Sequence, residues 1–498
     1  LRLHPSDNVV VAICDLSPGD VVDDVRITRR IPRGHKAAVR PIAKDAPAFK
    51  FGQIIGFATQ DIAPGDWVHE HNLAFHSVDR DYEFEVDARD PAREAVPATF
   101  QGFARANGRF GTRNYLGILT SVNCSATVAR LIAREVEKRG LLDDYPQIDG
   151  VIPLVHGHGC GMDAKGEGYE VLKRTQWGYA ANPNMGAVLM VGLGCETFQI
   201  ARWKQAYNIA ESDTFRSLTI QDTGGTQKAV EAGLTAVRDM LPAVNNASRE
   251  TAPASELMLA LQCGGSDGYS GITANPALGA AVDLLVAHGG TAILSETPEI
   301  YGAEHMLLRR AVSNEVGEKL LDLLKWWEGY AADNDGSLDN NPSPGNKAGG
   351  LTTILEKSLG AAAKGGHSDM VDVYRYAEPV TKRGFVFMDT PGYDPVSATG
   401  QVAGGANMVA FTTGRGSCYG CKPSPSIKLA TNTPMYKRMS EDMDINCGEI
   451  LDGGASVEEM GQRIFQLLLD TASGQRSKSE ALGYGEDEFA PWHLGATF

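Results

Sequence analysis

Chemically reactive side chains recur in this sequence directly after short apolar runs. Each run is typical of a buried strand and leads into a polar, Gly-rich loop, as in LGILTSV before NCS, GVIPLV before HGHGCG and AVLMVGL before GCE. Because parallel strands bring their carboxyl ends to one edge of a sheet, the side chains in such loops should converge on a crevice. The side chains placed there are Cys124, His156, Cys160, Cys195, Glu196, Cys263, Asp267, Glu296 and Arg415.

Six of these side chains are predicted to bind a transition metal. Thiolate and imidazole are poor ligands for magnesium or calcium and good ligands for iron or zinc. For any one cysteine, burial as a small apolar residue is the competing interpretation. An oxygen-ligated ion held by Glu296, Asp267 and histidines of the N-terminal part is a second alternative. The predicted metal ligands are Cys124, His156, Cys160, Cys195, Cys263 and Glu296.

Cations in Gly-rich loops are candidates to hold a carboxylate. Arg415 stands in TTGRGS directly after an apolar run, where a guanidinium can make a two-point contact. Lys347 stands in NPSPGNKAGG, for which an ordinary connector is the competing interpretation, and Arg113 stands in GRFGTRN before the first strand of its domain. The predicted substrate-binding residues are Arg113, Asn346, Lys347, Arg415 and Asp267.

The first 76 residues carry the histidine motifs GHK and HEHN between short β-rich stretches and turns such as SPGD and APGD. In an alternating strand His69 and His71 share one face, and solvated surface histidines are the competing interpretation. A small domain that closes over the strand ends like a lid would bring these side chains to a substrate. We therefore predict acid–base roles for His35, Lys36, His69 and His71, without dividing acid from base.

The sequence lacks the common nucleotide-binding motifs and a complete cysteine zinc motif. GHGCGMDAKGEG has Met162 where a dinucleotide-binding fingerprint needs glycine, and no GxxxxGK[ST] phosphate loop occurs. The CxxC pair Cys418 and Cys421 has only Cys447 downstream as a further cysteine, which is too few for a structural zinc site. A nucleotide-dependent or thioredoxin-like enzyme is therefore disfavoured.

Composition limits the class of protein. A chain of 498 residues should form several domains, and strand–loop–helix alternation after residue 100 predicts α/β architecture with mainly parallel sheets. A net charge of −16 disfavours nucleic acid as a partner, and no apolar stretch approaches the 18 residues of a membrane span. Eight cysteines in this length, without signal-peptide features, predict a reduced, cytoplasmic protein. We expect a small β domain at 1–76, a linker at 77–100, a middle domain at 101–247 and a C-terminal domain at 248–498.

Several long motifs, in order along nearly the whole chain, resemble the altronate/galactarate dehydratase family of hydro-lyases. They are NGRFGTRNYLGILTSVNC, VGLGCE, QCGGSDGYSGITANP, NPSPGNKAGG and TTGRG, and the N-terminal RGHK and HEHN resemble the small β-clip (SAF-type) domain of that family. The resemblance implies three domains, a sugar-acid substrate and a divalent metal, with Fe2+ expected, Mn2+ as the alternative and an iron–sulfur cluster left open. A homodimer is a further option.

The implied reaction removes the C2 proton and the C3 hydroxyl of a sugar acid and yields a 2-keto-3-deoxy acid. HEHN resembles altronate dehydratases, so D-altronate is the expected substrate and galactarate the alternative. VHGHGCG and GSCYGCKPSP depart from the usual family pattern, which leaves the choice of sugar acid open. Another lyase on the same scaffold and a non-catalytic sugar-acid-binding protein remain alternatives.

Overall fold

A computed structural model describes residues 1–78, 81–89 and 93–495 and confirms the predicted class, a small β domain followed by two α/β domains. The N-terminal domain pairs its strands into two antiparallel three-stranded sheets, β1-β4-β7 and β5-β6-β8, and the hairpin β2-β3. Its strands are β1 Val9–Val11, β2 Val21–Val22, β3 Val25–Arg26, β4 Lys36–Ala38, β5 Pro47–Lys50, β6 Gln53–Ala58, β7 Trp67–Val68 and β8 Leu73–Ala74.

The middle domain is built on a parallel four-stranded sheet of order β12-β11-β13-β14. A short antiparallel sheet, β10-β9-β15, pairs the first strand of the domain with its last strand. The elements are β9 Thr99–Ala104, β10 Phe110–Gly111, β11 Tyr115–Thr120, α1 Ala126–Lys138, β12 Gly150–Leu154, α2 Glu167–Ala180, β13 Met185–Gly192, α3 Ile200–Ala206, β14 Phe215–Thr219, α4 Ile220–Thr223, α5 Thr226–Asn245 and β15 Arg249–Pro253.

The C-terminal domain contains a parallel seven-stranded sheet of order β18-β19-β17-β16-β20-β21-β22. The elements are β16 Met258–Cys263, α6 Ala274–Ala287, β17 Thr291–Leu294, α7 Glu304–Leu308, α8 Asn314–Asp333, α9 Pro344–Ala348, α10 Ile354–Ala362, β18 Met370–Tyr374, β19 Gly384–Met388, α11 Asp394–Ala403, β20 Met408–Thr413, β21 Ser426–Ala430, α12 Thr433–Arg438, β22 Ile445–Asn446, α13 Val457–Ala472 and α14 Lys478–Ala481.

The strand order of this sheet reverses beside β16. The strands that follow β16 in the chain, β17 to β19, lie on one side of it, and β20 to β22 lie on the other. The crevice of a parallel sheet lies at such a reversal, outside the carboxyl ends of the strands. Here those ends lead into the loop of Asp267, after β16, and the loop of Arg415, after β20.

The two α/β domains share one hydrophobic core. Leu119 and Met190 of the middle domain belong to the same buried cluster as Val386 and Phe411 of the seven-stranded sheet. The opposite face of the seven-stranded sheet packs on α6 and α13, whose apolar stripes it covers. These strands are buried on both faces, which explains why they appear in the sequence as continuous apolar runs.

The segment predicted as a linker is bound to the C-terminal domain over the residues that the structure describes. The hydroxyl of Tyr82 donates to Glu304 at 2.9 Å, and the Nε of Arg309 donates to the carboxylate of Asp87 at 2.7 Å. The backbone N–H of Arg89 donates to Asp369 at 2.8 Å. Within the described ranges, no helix is long and apolar enough to cross a bilayer.

Candidate active site between the N-terminal and C-terminal domains

Glycine backbones form the contact between the N-terminal domain and the edge of the seven-stranded sheet. A Cβ atom at Gly268 would lie 2.0 Å from the carbonyl oxygen of Gly34, and a Cβ at Gly350 would lie 2.2 Å from the same oxygen. The N–H of Gly268 donates to the carbonyl of Gly349 at 2.9 Å. Only residues without a side chain allow this approach, so the contact fixes the GHK turn against the loop that contains Lys347.

Three predicted catalytic histidines meet around Trp67 at this contact. The ring of His69 stacks on Trp67 at 5.2 Å between centroids, and His35 meets His69 edge-on at 4.8 Å. His71 lies at 5.2 Å from Trp67 on the exposed side. Trp67, which the sequence analysis did not select, is the centre of this group because β7 and β4 are hydrogen-bonded neighbours.

His35 is held by hydrogen bonds at both ring nitrogens. The indole Nε1 of Trp67 donates to His35 Nδ1 at 3.2 Å, since an indole nitrogen can only donate. The Nε2–H of His35 therefore donates to the carbonyl of Ala348 at 3.3 Å. Burial lowers the pKa of His35, with the charge of Lys36 adding to the effect. His35 thus positions the loop of Lys347, and the structure does not support its predicted acid–base role in this conformation.

His69 has a buried ring nitrogen available for chemistry. Its Nδ1 makes no hydrogen bond to any residue that the structure describes. Burial lowers the pKa of His69 to about 3, and the nearby charge of Lys36 acts in the same direction. The imidazole is therefore neutral at neutral pH, and an anionic ligand beside it would raise its proton affinity.

Lys36 is a structural cross-link, which corrects its predicted catalytic role. Its buried ammonium donates to both carboxylate oxygens of Glu356, at 2.9 and 2.7 Å, and to the carbonyl of Gly350 at 2.6 Å. All three ammonium protons are used, so none is left for a substrate. Lys50 donates to the same carboxylate at 2.9 Å.

Asp267 joins the loops of the two predicted carboxylate-binding cations. Its carboxylate accepts from Thr431 Oγ1 at 3.0 Å and from Asn432 Nδ2 at 3.1 Å, and it also accepts from Ser270 and from the N–H of Tyr269. A Cβ at Gly349 would lie 3.0 Å from Asp267, and one at Gly414 would lie 2.1 Å from it. Asp267 is buried and fully bonded, so it organises these loops, which corrects its predicted contact with substrate.

The structure leaves Lys347 and Arg415 accessible on the two sides of Asp267. The Lys347 ammonium lies 3.5 Å from the carboxylate of Glu70, and its side chain keeps 30% of its exposure. Arg415 is exposed, and its side chain makes no ion pair with the residues in the described ranges. Asn346, by contrast, is buried and donates to the carbonyl of Ser266 at 2.9 Å while capping α9 through Ser343. Its predicted role in binding is therefore replaced by a structural one.

Arg113 is far from this edge and is corrected to a structural residue. It precedes β11 and so stands at the amino end of the middle sheet. Its guanidinium donates to both oxygens of Glu480, at 2.6 and 2.8 Å. It also donates to the carbonyls of Thr112, Thr471 and Gln475, so all five N–H donors are used.

A buried group of three donors lies at the ends of β16 and β17. Ligand atoms of Cys263, Glu296 and Glu299 all lie within 4.8 Å of one another and could hold a metal ion. Two of these residues were predicted ligands, whereas Glu299 was not, because it stands in a short 3-10 turn after ETP. A cavity with room for about one water molecule extends from Cys263 toward Lys50 and Asp267.

Two buried lysines already neutralise this group. The ammonium of Lys364 lies 3.0 Å from Cys263 Sγ and 2.9 Å from a Glu296 oxygen, and Lys357 lies 2.7 Å from Glu299. Burial raises the pKa of the Cys263 thiol to about 12, so it is protonated at neutral pH. A divalent ion would add two positive charges to a buried group that already holds two ammonium ions, which is electrostatically costly. The thiol and the two carboxyl groups are of the types that bind a metal ion, but the charges of Lys364 and Lys357 oppose its binding.

Glu296 has an unusual conformation within this group. Its backbone is left-handed, with φ +68°, which is costly for a residue other than glycine. One carboxylate oxygen, Oε1, is buried and has no hydrogen-bond donor among the described residues. Burial raises the pKa of Glu296 to about 8 against the opposing charge of Lys364. This carboxyl therefore combines a strained backbone with one unsatisfied buried oxygen.

The remaining predicted ligands occupy a different sheet, so the single metal site predicted from the sequence is wrong. Cys124, Cys160 and Cys195 lie on loops of the middle domain and are exposed. His156, on the same edge, is buried and donates from Nε2 to the carbonyl of Thr120 at 2.8 Å, and its Nδ1 accepts from a backbone N–H at 3.2 Å. His156 therefore has no free nitrogen for a metal. The two sheets have separate carboxyl edges, which the order of the sequence does not reveal.

Family models match three consecutive parts of the chain. The altronate/galactarate dehydratase SAF domain matches residues 1–76, and the D-galactarate dehydratase/altronate hydrolase second domain matches residues 102–245. The D-galactarate/altronate dehydratase C-terminal domain matches residues 254–497.

Three relatives match the chain over nearly its whole length. The chain is 40% identical to galactarate dehydratase (L-threo-forming) of Escherichia coli strain K12, over 96% of this chain and 93% of that protein. It is 35% identical to altronate dehydratase of Bacillus subtilis strain 168 and 36% identical to altronate dehydratase of Escherichia coli strain K12, over 98% of this chain and 97% of each relative. These matches place the chain, in which a histidine-bearing β domain covers the strand ends of an α/β domain, among the hydro-lyases. The chain belongs to the altronate/galactarate dehydratase family.

Proposed function

We propose that this dehydratase acts on a sugar acid, with D-altronate as its preferred substrate, and releases a 2-keto-3-deoxy acid and water. The observation that supports the location of the reaction is the packing of the histidine group around Trp67 against the loop of Lys347, through the bond from His35 to Ala348. Proton-transfer groups and a cationic loop are thus adjacent at the carboxyl edge of a parallel sheet.

The substrate carboxylate has two cationic partners in this proposal. Lys347 and Arg415 stand on the two sides of Asp267 and are the accessible cations of their loops. An anionic substrate needs such local charge because the whole chain carries −16. Charged hydrogen bonds from both would orient the acid so that its C2 proton faces the histidine group.

His69 is the proposed proton acceptor. It is neutral, its Nδ1 has no partner in the described part of the chain, and the adjacent Glu70 lies 3.5 Å from the Lys347 ammonium. A bound carboxylate supplies the negative charge that raises its pKa, so the base gains strength when the substrate is present. His71, on the exposed side of Trp67, is the corresponding candidate to protonate the leaving hydroxyl.

Metal dependence is part of the proposal, with Fe2+ expected and Mn2+ as the alternative. A bound ion supplies a Lewis acid that stabilises negative charge on the carboxylate or on the adjacent hydroxyl oxygen. Cys263, Glu296 and Glu299 would hold it if the charge of Lys364 and Lys357 were offset.

The test is an anaerobic assay of the iron-loaded protein over a panel of aldonates and aldarates, with 2-keto-3-deoxy acid as the readout. We expect a higher kcat/KM for altronate than for galactarate. Binding of altronate with no product from any acid in the panel would instead indicate a non-catalytic sugar-acid-binding protein, and turnover of a different acid would indicate another lyase on this scaffold.

Galactarate is the second candidate substrate, and one observation favours it. The identity to a galactarate dehydratase is 40%, against 35% and 36% for two altronate dehydratases. Galactarate has a carboxylate at each end, so its use would require a second cationic contact. A kcat/KM for galactarate equal to or above that for altronate would establish this candidate and leave the dehydratase class intact.

A further inference from the structure

We propose that Cys124, Cys160 and Cys195 form a thiolate site for an iron–sulfur cluster on the carboxyl edge of the middle sheet, separate from the buried group around Cys263. The inference rests on the proposed function only in that it concerns a cofactor of the same enzyme. The three cysteines follow β11, β12 and β13, which are adjacent strands in the order β12-β11-β13. Their loops therefore leave the same edge side by side.

Hydrogen bonds tie the first two loops together. The backbone N–H of Asn123 donates to the carbonyl of His158 at 2.8 Å, and its side-chain amide donates to the carbonyl of His156 at 3.1 Å. Cys124 follows Asn123 directly, and Cys160 comes two residues after His158. The two thiol-bearing loops are thus fixed against each other by contacts immediately beside the cysteines.

The third loop is tied to both of the others. The Thr197 hydroxyl donates to the carbonyl of Cys160 at 2.6 Å, two residues from Cys195. The Ser121 hydroxyl donates to Glu196 at 2.5 Å. Glu196 also accepts from the backbone N–H groups of its own loop, at 3.1 and 2.6 Å, so its carboxylate holds these loops together. The loops meet pairwise, with one cysteine on each.

The thiols of this edge are accessible, and the only hydrogen bond given for them among the described residues is that from Gln221 Nε2 to Cys195 Sγ at 3.3 Å. All three are exposed, although cysteine is among the residue types most often buried, so core packing does not explain them. His156 uses both ring nitrogens. Cys124 also stands in the turn that leads into α1, whose N-terminal end favours an anionic ligand.

A second observation points to a ligand at the same edge. His158 is 3% exposed, and its Nε2 has no hydrogen-bond partner among the described residues. It stacks on His493 at 4.5 Å between ring centroids and lines a cavity with Asn123 and His156. None of the three cysteines lines this cavity, although Cys124 directly follows Asn123 and Cys160 is two residues beyond His158. A buried imidazole nitrogen without a partner is costly unless a ligand or water satisfies it.

The spacing favours a cluster over a single ion. Two thiolates on one zinc ion, each about 2.3 Å from the metal, lie at most about 4.6 Å apart. Among the described residues, the three sulfur atoms do not all lie within 4.8 Å of one another. Several iron atoms bridged by sulfide span a wider gap than a single ion, and cysteine thiolates are their usual protein ligands.

The test measures iron and acid-labile sulfide per chain after anaerobic reconstitution with Fe2+ and sulfide, together with the visible absorption and Mössbauer spectra. The wild type and Cys14→Ser, a variant of an exposed cysteine in the N-terminal domain, should hold iron and sulfide in equal amounts. Cys124→Ser, Cys160→Ser and Cys195→Ser should each retain about ten-fold less of both after gel filtration. Circular dichroism identifies any variant that fails to fold, and for such a variant the corresponding Ala replacement is measured.

Iron without labile sulfide in the wild type, or full retention of both in all three variants, would overturn the cluster. Binding of zinc alone by the three thiols would do the same and would establish a single-ion site. These readouts do not depend on turnover. A protein that holds no cluster and is active would refute this inference through its iron and sulfide content alone and leave the proposed function standing. A protein that holds the cluster and is inactive on the whole panel would refute the proposed function and leave this inference standing.

Discussion

The ammonium of Lys36 lies 2.7 Å from a carboxylate oxygen of Glu356, and neither side chain has any exposed surface. Lys50 binds the other oxygen, so one C-terminal carboxylate receives two cations from the N-terminal domain. Burial lowers the pKa of Lys36 to about 8, against the charge of Glu356. Burial alone would raise the pKa of Glu356, but the two lysines hold it well below its ordinary value.

Replacement of Lys36 should therefore weaken the attachment of the N-terminal domain. Removing one partner of a buried ion pair costs up to about 3–5 kcal/mol, and the Glu356 carboxylate would keep only Lys50 as compensation. We expect Lys36→Met to lower the free energy of unfolding by that order in urea titrations. Lys44→Met, at an exposed lysine of the same domain, is the matched control and should change it little. Equal stability of the two variants would contradict the cross-link.

Replacement of Arg415 should impair substrate binding and leave folding intact. Loss of a charged hydrogen bond costs about 1.5–3 kcal/mol, which corresponds to roughly a 10- to 100-fold fall in kcat/KM. Arg415→Ala should show this fall together with an unchanged melting temperature, and Lys347→Ala should behave alike. Arg202→Ala, at an exposed arginine of α3, serves as the control. Efficiencies within a factor of about two of the wild type for both variants would remove these cations from the site.

His69 should matter for turnover more than for folding. Acid–base catalysis by a positioned side chain contributes about 10²- to 10⁴-fold, so His69→Gln should lower kcat by that order. The comparison is His76→Gln, at an exposed histidine of the same domain. Near-native kcat in His69→Gln, with the fold intact by circular dichroism, would move the base to another residue.

The pH dependence of stability should contain a contribution from His156. Burial lowers its pKa from 6.5 to about 4 in the folded protein. Between these values the unfolded state binds the additional proton, so the free energy of unfolding falls as the pH falls. The slope is at most about 1.4 kcal/mol per pH unit, and the total is on the order of 3 kcal/mol. Urea titrations of wild type and His156→Gln across this window should differ by that slope, and parallel profiles would refute the assignment.

Removal of Lys364 should turn the buried group around Cys263 into a better metal site. Lys364→Met leaves Glu296 without its cation, and a divalent ion can then supply the missing charge. We expect Zn2+ to raise the melting temperature of the variant more than that of the wild type, since ligand binding stabilises the folded state. An equal response of both proteins would show that the ammonium does not exclude metal.

The strands of this fold could be predicted because they are buried on both faces. Apolar runs at Leu116–Val122, Gly150–Val155 and Met408–Thr413 became β11, β12 and β20 within about two residues. Which loops share a crevice could not be predicted, because that depends on strand order. Cys195 and Cys263 both follow apolar runs, and they belong to different sheets.

The buried charged residues of the site could not be predicted from the sequence for a different reason. Glu356, Lys357 and Lys364 lie on or directly after α10, and charges on a helix usually mark its solvent face. Here the N-terminal domain and the strand ends cover that face, so the same charges form buried pairs. Arg113 was misjudged because its partner Glu480 lies 367 residues away in the sequence.

The docking of Tyr82 and Asp87 on the C-terminal domain sets the reach of the N-terminal domain. Tyr82 is eight positions along the chain from Ala74, at the end of β8, and an extended chain of that length spans at most about 28 Å. If the contact between the domains opens to admit substrate, this short segment therefore keeps the N-terminal domain tethered close to the C-terminal domain. Its return to the C-terminal domain is a first-order event, independent of protein concentration. Exchange of this domain between two copies of the chain is disfavoured unless the contacts of Tyr82 and Asp87 also break.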